Sequence, residues 1–128
     1  MLNRITLIGR LTRDPELRYT GNGTAIASFT LAVERNYTKS DGERDTDFIK
    51  INCWRGLGET VAEHLGKGRL VGVDGSLEIN KSESDGRTYI NPEVNADNVQ
   101  FLDFADSNSN DKQEVIDGFD DFDGGGFN

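Results

Sequence analysis

The chain opens on an alternating, β-branched stretch, Leu2-Asn-Arg-Ile-Thr-Leu-Ile-Gly-Arg-Leu11, which predicts a strand. Asp14-Pro15 and Gly21-Asn22-Gly23 then punctuate a loop. A second, longer strand is predicted over residues 24–37, with Ala27, Phe29, Leu31 and Val33 on one face. Residues 39–45 are polar and contain Gly42, so they form a hairpin tip before a third strand over 47–55. Leu57, Val61 and Leu65 recur at helical spacing, while Glu59, Glu63 and His64 lie off that stripe. They make one short amphipathic helix, stopped by Gly66 and Gly68. A fourth strand is predicted over 69–81, with Val71, Val73, Leu77 and Ile79 turned inward. Ser84-Asp-Gly-Arg87 reverses the chain into a last strand over 88–102, broken near Pro92.

Five strands with one short helix between the third and fourth predict an all-β OB-fold, a five-stranded Greek-key barrel of the kind that binds oligonucleotides. Other small barrels share this string of elements. After Leu102 the character changes. Residues 103–113 are polar and low in apolar residues, and Asp117-Gly-Phe-Asp-Asp-Phe-Asp-Gly-Gly-Gly-Phe-Asn128 alternates acids and aromatics on a glycine backbone. The expected division is a barrel domain over 1–103 and a disordered linker with an acidic C-terminal tail over 104–128.

Charge follows that division. The formal net charge is −9. Residues 1–102 carry 13 Lys/Arg against 15 Asp/Glu, a net of −2, and residues 103–128 carry one Lys against eight acids, a net of −7. The barrel is close to neutral and leaves room for a local basic surface. Cys53 is the only cysteine, which excludes an intrachain disulfide and a multi-cysteine zinc site. No apolar run approaches the roughly 20 residues of a membrane helix. Arg4 and Arg10 interrupt the opening stretch, which lacks a signal-peptide pattern. The expectation is a soluble cytoplasmic protein with no membrane partner.

The third predicted strand carries the chemistry. Its alternation puts Ile49, Ile51 and Cys53 on one face, suited to a core, and Phe48, Lys50, Asn52 and Trp54 on the other. Two large aromatics beside a cation suit a surface where bases stack and phosphates are neutralised. The plainer reading packs both rings under a loop or at a subunit contact. Tyr37 is expected to end the second strand beside Arg35, as a third platform or as a cross-strand partner near Asp47. Tyr89 reads more simply as a core or edge aromatic. Among the scattered cations (Arg4, Arg10, Arg13, Arg18, Lys67, Arg69, Lys81 and Arg87 included), Lys50, Arg35 and Arg55 stand out because they neighbour the aromatics.

Enzymatic readings find no constellation. His64 is the only histidine and sits on the polar side of its helix. Cys53 has core parity, where a thiol is inert. No glycine loop fits a phosphate, and the tail aspartates lack the glutamate that closes a calcium loop. No cofactor and no metal are expected. The tail has two readings: a solubilising end, or a peptide in which Asp120, Asp121, Phe122, Asp123 and Phe127 dock into basic, apolar-floored pockets of partner proteins, or fold back over the binding face.

Residues 1–20, Met1-Leu-Asn-Arg-Ile-Thr-Leu-Ile-Gly-Arg-Leu-Thr-Arg-Asp-Pro-Glu-Leu-Arg-Tyr-Thr20, closely resemble the opening of bacterial and phage single-stranded DNA-binding proteins. So do Ala27-Ser-Phe-Thr-Leu-Ala-Val33, Asp47-Phe-Ile, Trp54-Arg, Lys67-Gly, Gly72-Val-Asp-Gly75 and Asn98-Val-Gln-Phe-Leu102. The resemblance implies an OB-fold homotetramer that coats single strands without sequence specificity in replication, recombination and repair, at the bacterial nucleoid or in a phage-infected cell. It implies stacking at Tyr37, Phe48 and Trp54, subunit contacts around Asn3 to Ile8, and recruitment of replication and repair proteins by the tail. Two positions depart from the family's pattern. Ser82 stands in the last hairpin where relatives carry an aromatic, and the tail ends in Phe127-Asn128 without the usual proline and terminal phenylalanine. A barrel of the same kind that binds RNA or protein partners is the alternative.

Overall fold

The computed structural model describes residues 1–37 and 39–103. The expected disorder of 104–128 and the tail residues from Asp120 to Phe127 lie outside the described residues.

Six strands and one helix follow in order: β1 (Ile5–Leu11), β2 (Glu16–Tyr19), β3 (Ala25–Glu34), β4 (Thr46–Trp54), α1 (Arg55–His64), β5 (Leu70–Ser84) and β6 (Arg87–Phe101). Hydrogen bonding runs β1-β5-β6-β4-β3, and Arg10↔Ala32 and Leu11↔Leu31 return β3 to β1. The circle is a closed five-stranded barrel in which β4 and β6 run parallel and the other pairs antiparallel. With the helix between the third and fourth barrel strands, this is the OB-fold. No helix among the described residues is long and apolar enough to cross a membrane.

The core is what the alternation puts inside. Leu31, Ile51, Cys53, Val61, Val71, Val73 and Val94 are fully buried, with Leu11, Ala27, Phe29 and Leu65 around them. Burial at Cys53 desolvates the thiolate and pushes the thiol up to about 12. Helix α1 closes one mouth with Val61, and Gly58 lets it come close. A Cβ at Gly58 would stand 2.4 Å from the Cys53 carbonyl oxygen, so only glycine seats the helix against the end of β4.

Four expectations need correction. The loop after β1 holds a short strand: β2 pairs with β3 from Glu16↔Ser28 to Tyr19↔Ala25, and Gly21-Asn22-Gly23 is its hairpin turn, with Gly23 at φ +84°. All four β2 residues are exposed, so no buried stripe marked it. Strand β3 stops at Glu34 rather than running to Tyr37, because Arg35-Asn36-Tyr37 bends away, with Arg35 turned back onto Asp47. Pro92 does not break β6. It falls one residue before β4 joins at Glu93, where one side of the strand is still open and a missing N–H is tolerated. The irregularity lies instead at Asp74/Gly75, where β6 shifts by one residue. A Cβ on Gly75 would meet the Asn95 carbonyl oxygen at 2.1 Å, so the bulge needs glycine.

Finally, Leu77 and Ile79 keep inward parity but are 40% and 49% exposed. Strand β1 pairs with β5 only up to Gly75, and β4 flanks β6 only from Glu93. Beyond those points β5 and β6 continue as a bare two-stranded arm, closed by an Asp85-Gly86 turn with both residues at positive φ. Asn3 fastens its base: its side-chain amide donates to the Leu77 carbonyl, and its carbonyl accepts the Leu77 N–H, both at 2.9 Å. At the other end of β5, the Asp103 carboxylate accepts from Arg69 Nε at 3.1 Å and the Leu70 N–H at 3.2 Å, with Arg10 3.6 Å away.

Candidate nucleic-acid interface

Cross-strand register assembles an outer face from rows of paired residues, since partners in a ladder point to the same side. Arg18, Ile26 and Trp54 form one row across β2, β3 and β4. Ser28, Asn52 and Asn95 form the next, then Thr30, Lys50, Glu93 and Glu78, then Ala32 and Phe48. Phe48 is 67% exposed and Trp54 38%, so the two rings stand on this face with Lys50 between them. The parity expected for all three is observed.

Asn52 shares the parity but is buried. Its carbonyl accepts the Ser28 hydroxyl at 2.8 Å, and its amide donates to Glu93 Oε1 at 2.7 Å. The amide is structural, spanning three strands beneath the surface. Trp54 is anchored in a similar way: its indole N–H donates to Asn95 Oδ1 at 3.2 Å, and Asn95 donates to Glu78 at 2.7 Å. The indole is therefore held from its polar edge. Neither Glu78 nor Asn95 has a sequence signal, because the contact exists only through the β4–β6 parallel pair.

The cations divide. Lys50 Nζ lies 3.9 Å from Glu93 Oε2. Arg35 binds Asp47 with Nε and Nη2, both at 3.0 Å, and donates through Nη1 to the Tyr37 hydroxyl at 2.9 Å. These bonds raise the Arg35 guanidinium above its ordinary value and hold the Asp47 carboxyl below its own. Asp47 has the parity of Ile49, opposite to Phe48. Tyr37 and Arg35 therefore sit across the β3–β4 hairpin from the Phe48–Trp54 face, by an open cleft shared with Thr6, Leu7 and Ile8 of β1. Tyr37 is exposed, and it is tied to Asp47 through Arg35. Arg55 is exposed beside Trp54 at the strand-to-helix junction, with φ +60°, a left-handed conformation uncommon for a side-chain-bearing residue. Arg18, Arg55 and Arg87 pair with no acid among the described residues.

The arm prolongs the same face. From Glu93↔Glu78 the register runs through Asn91↔Asn80 and Ser82↔Tyr89 to Ser84↔Arg87. Tyr89, read from sequence as a core or edge aromatic, is exposed on this face directly opposite Ser82. Ser82 is small, but its cross-strand partner is a ring.

Comparison with known proteins bears on this geometry. A family model described as "Single-strand binding protein family" matches residues 2–102. A "Single-stranded DNA-binding protein" of Halalkalibacterium halodurans is 52% identical over 110 residues, covering 85% of this chain and 66% of that protein. "Single-stranded DNA-binding protein A" of Bacillus subtilis is 54% identical over 103 residues, covering 80% of this chain and 60% of that one. A "Single-stranded DNA-binding protein" of Staphylococcus aureus is 50% identical over 117 residues, covering 91% and 74%. The match thus spans just under two thirds of the first two relatives' length.

Proposed function

The chain belongs to the single-strand binding protein family, and from that premise we propose that it binds single-stranded DNA without sequence preference in replication, recombination and repair. The observation that carries the reading is the exposed Phe48–Lys50–Trp54 strip on a closed barrel. Bases stack on the two rings, and Arg55 next to Trp54 and Arg18 across Ile26 from it are partners for phosphates. Tyr89 and Arg87 extend the path along the arm, and Tyr37 with Arg35 receives the strand at the hairpin end. Binding and shielding are the whole of the activity in this reading, with no reaction catalysed.

The test is direct. Oligo(dT) quenches Trp54 fluorescence, and affinity falls as salt rises, because phosphate contacts release counterions. Trp54→Ala loses about 1–3 kcal/mol for the base it stacks. A wild-type protein whose emission and elution position ignore saturating oligo(dT) would end this reading. Equal competition by RNA would move it to the RNA-binding alternative, since discrimination rests on the 2′-OH.

Residues 1–103 act in this proposal as the DNA-binding unit, and residues 104–128 recruit replication and repair proteins through Asp120, Asp121, Phe122, Asp123 and Phe127. The assembly is a homotetramer. Residues 5–9 of β1 pair with β5 but not with β3, so that edge is open to a second copy. Native mass measurement should give four chains, and removing residues 114–128 should keep that number of chains and the grip on oligo(dT) while abolishing partner capture. A monomer, or a truncated chain that binds DNA more weakly, contradicts the scheme.

A further inference from the structure

The centre of the proposed binding face is not basic. Lys50 is its only cation, and it lies against Glu93. Glu93 is the direct cross-strand partner of Glu78, so two carboxylates stand opposite each other on an antiparallel pair. Like charges so placed destabilise a ladder. With Lys50 counted, the central row carries a net charge of −1.

Both acids are held in place. The Glu93 side chain is only 18% exposed, and Oε1 is fixed by Asn52, itself fixed by Ser28. Glu78 is held by Asn95, which also holds the Trp54 indole. The cations without acid partners lie outside this row, among them Arg55 next to Trp54, Arg18 across Ile26 from it and Arg87 near the tip of the arm.

Resting on the reading that this face binds single-stranded DNA, we infer that Glu78 and Glu93 are specificity-determining residues that exclude phosphate from the centre. They repel the backbone from the central row, and Glu93 holds Lys50's charge, so only the neutral bases settle over Phe48 and Trp54. The phosphates are left to the flanking arginines. The face thereby selects a strand that presents bases over a bare polyanion, which a uniformly basic groove would not do.

The experiment uses the full chain and two probes, oligo(dT) and an abasic oligodeoxynucleotide of equal length. Glu78→Gln, Glu93→Gln and the double variant each keep a side-chain oxygen to accept from Asn95 or Asn52. Thermal melts check folding, and a variant that fails to fold is replaced by the remaining single variant. The double variant is expected to bind the abasic strand about three- to ten-fold tighter, with oligo(dT) changing less. Its salt dependence should steepen by about 0.7 for each further phosphate that the protein neutralises. A folded variant whose preference for oligo(dT) over the abasic strand equals that of wild type overturns the inference. Wild-type protein that binds neither probe would instead overturn the DNA-binding reading beneath it.

Discussion

The two halves of the β5–β6 ribbon share one inward side and meet opposite fates. In the first half, Val71 and Val73 are sealed in the core, because β1 flanks β5 there and α1 caps the barrel. In the second half, Leu77, Ile79 and Ile90 continue the same inward parity with no strand beside them, and they are exposed. Alternation fixes which side a residue takes. Whether that side is covered depends on where the neighbouring strands stop, and those ends are set by pairings distant in sequence.

The largest effect that would separate the barrel core from the arm is on stability. Ile51→Ala, in the barrel core, should cost about 2–5 kcal/mol, while Ile79→Ala on the arm should stay within about 0.5 kcal/mol. Denaturant midpoints measure both, and a comparable loss at Ile79 would mean that the arm is packed in solution. The smaller effect is on binding. Tyr89→Ala should leave the melting midpoint unchanged and weaken oligo(dT) by about 1–3 kcal/mol if one base stacks there. Wild-type affinity in that variant would confine the site to the barrel, and lost stability would return Tyr89 to a packing role.

Most of the barrel was legible in the chain. Ile49, Ile51 and Cys53 alternate with Phe48, Lys50 and Trp54 over a full strand, and a one-residue error would have reversed every side chain. The Asp85-Gly86 turn and the Gly66 helix stop are local chemistry and were equally readable. Strand β2 was not, because it is an exposed edge whose pairing depends on β3 rather than on its own pattern. The placement of the rings was legible and the pairing of the charges was not. Nothing near Lys50 in sequence announces Glu93, which lies 43 positions away and meets it only through the parallel β4–β6 pairing. For Arg35 the partner was close at hand, but its commitment to Asp47 emerges only where β3 bends.

The contacts of Asp103 have a mechanical consequence. Its carboxylate bonds Arg69 and the Leu70 N–H and lies near Arg10, while the preceding Leu102 N–H donates to the Leu70 carbonyl at 2.9 Å. A pull on the chain beyond residue 103 is therefore taken up first by this clamp and passed to the start of β5 and to β1. Any load applied past residue 103 is borne by the barrel wall before the end of β6 can be peeled away.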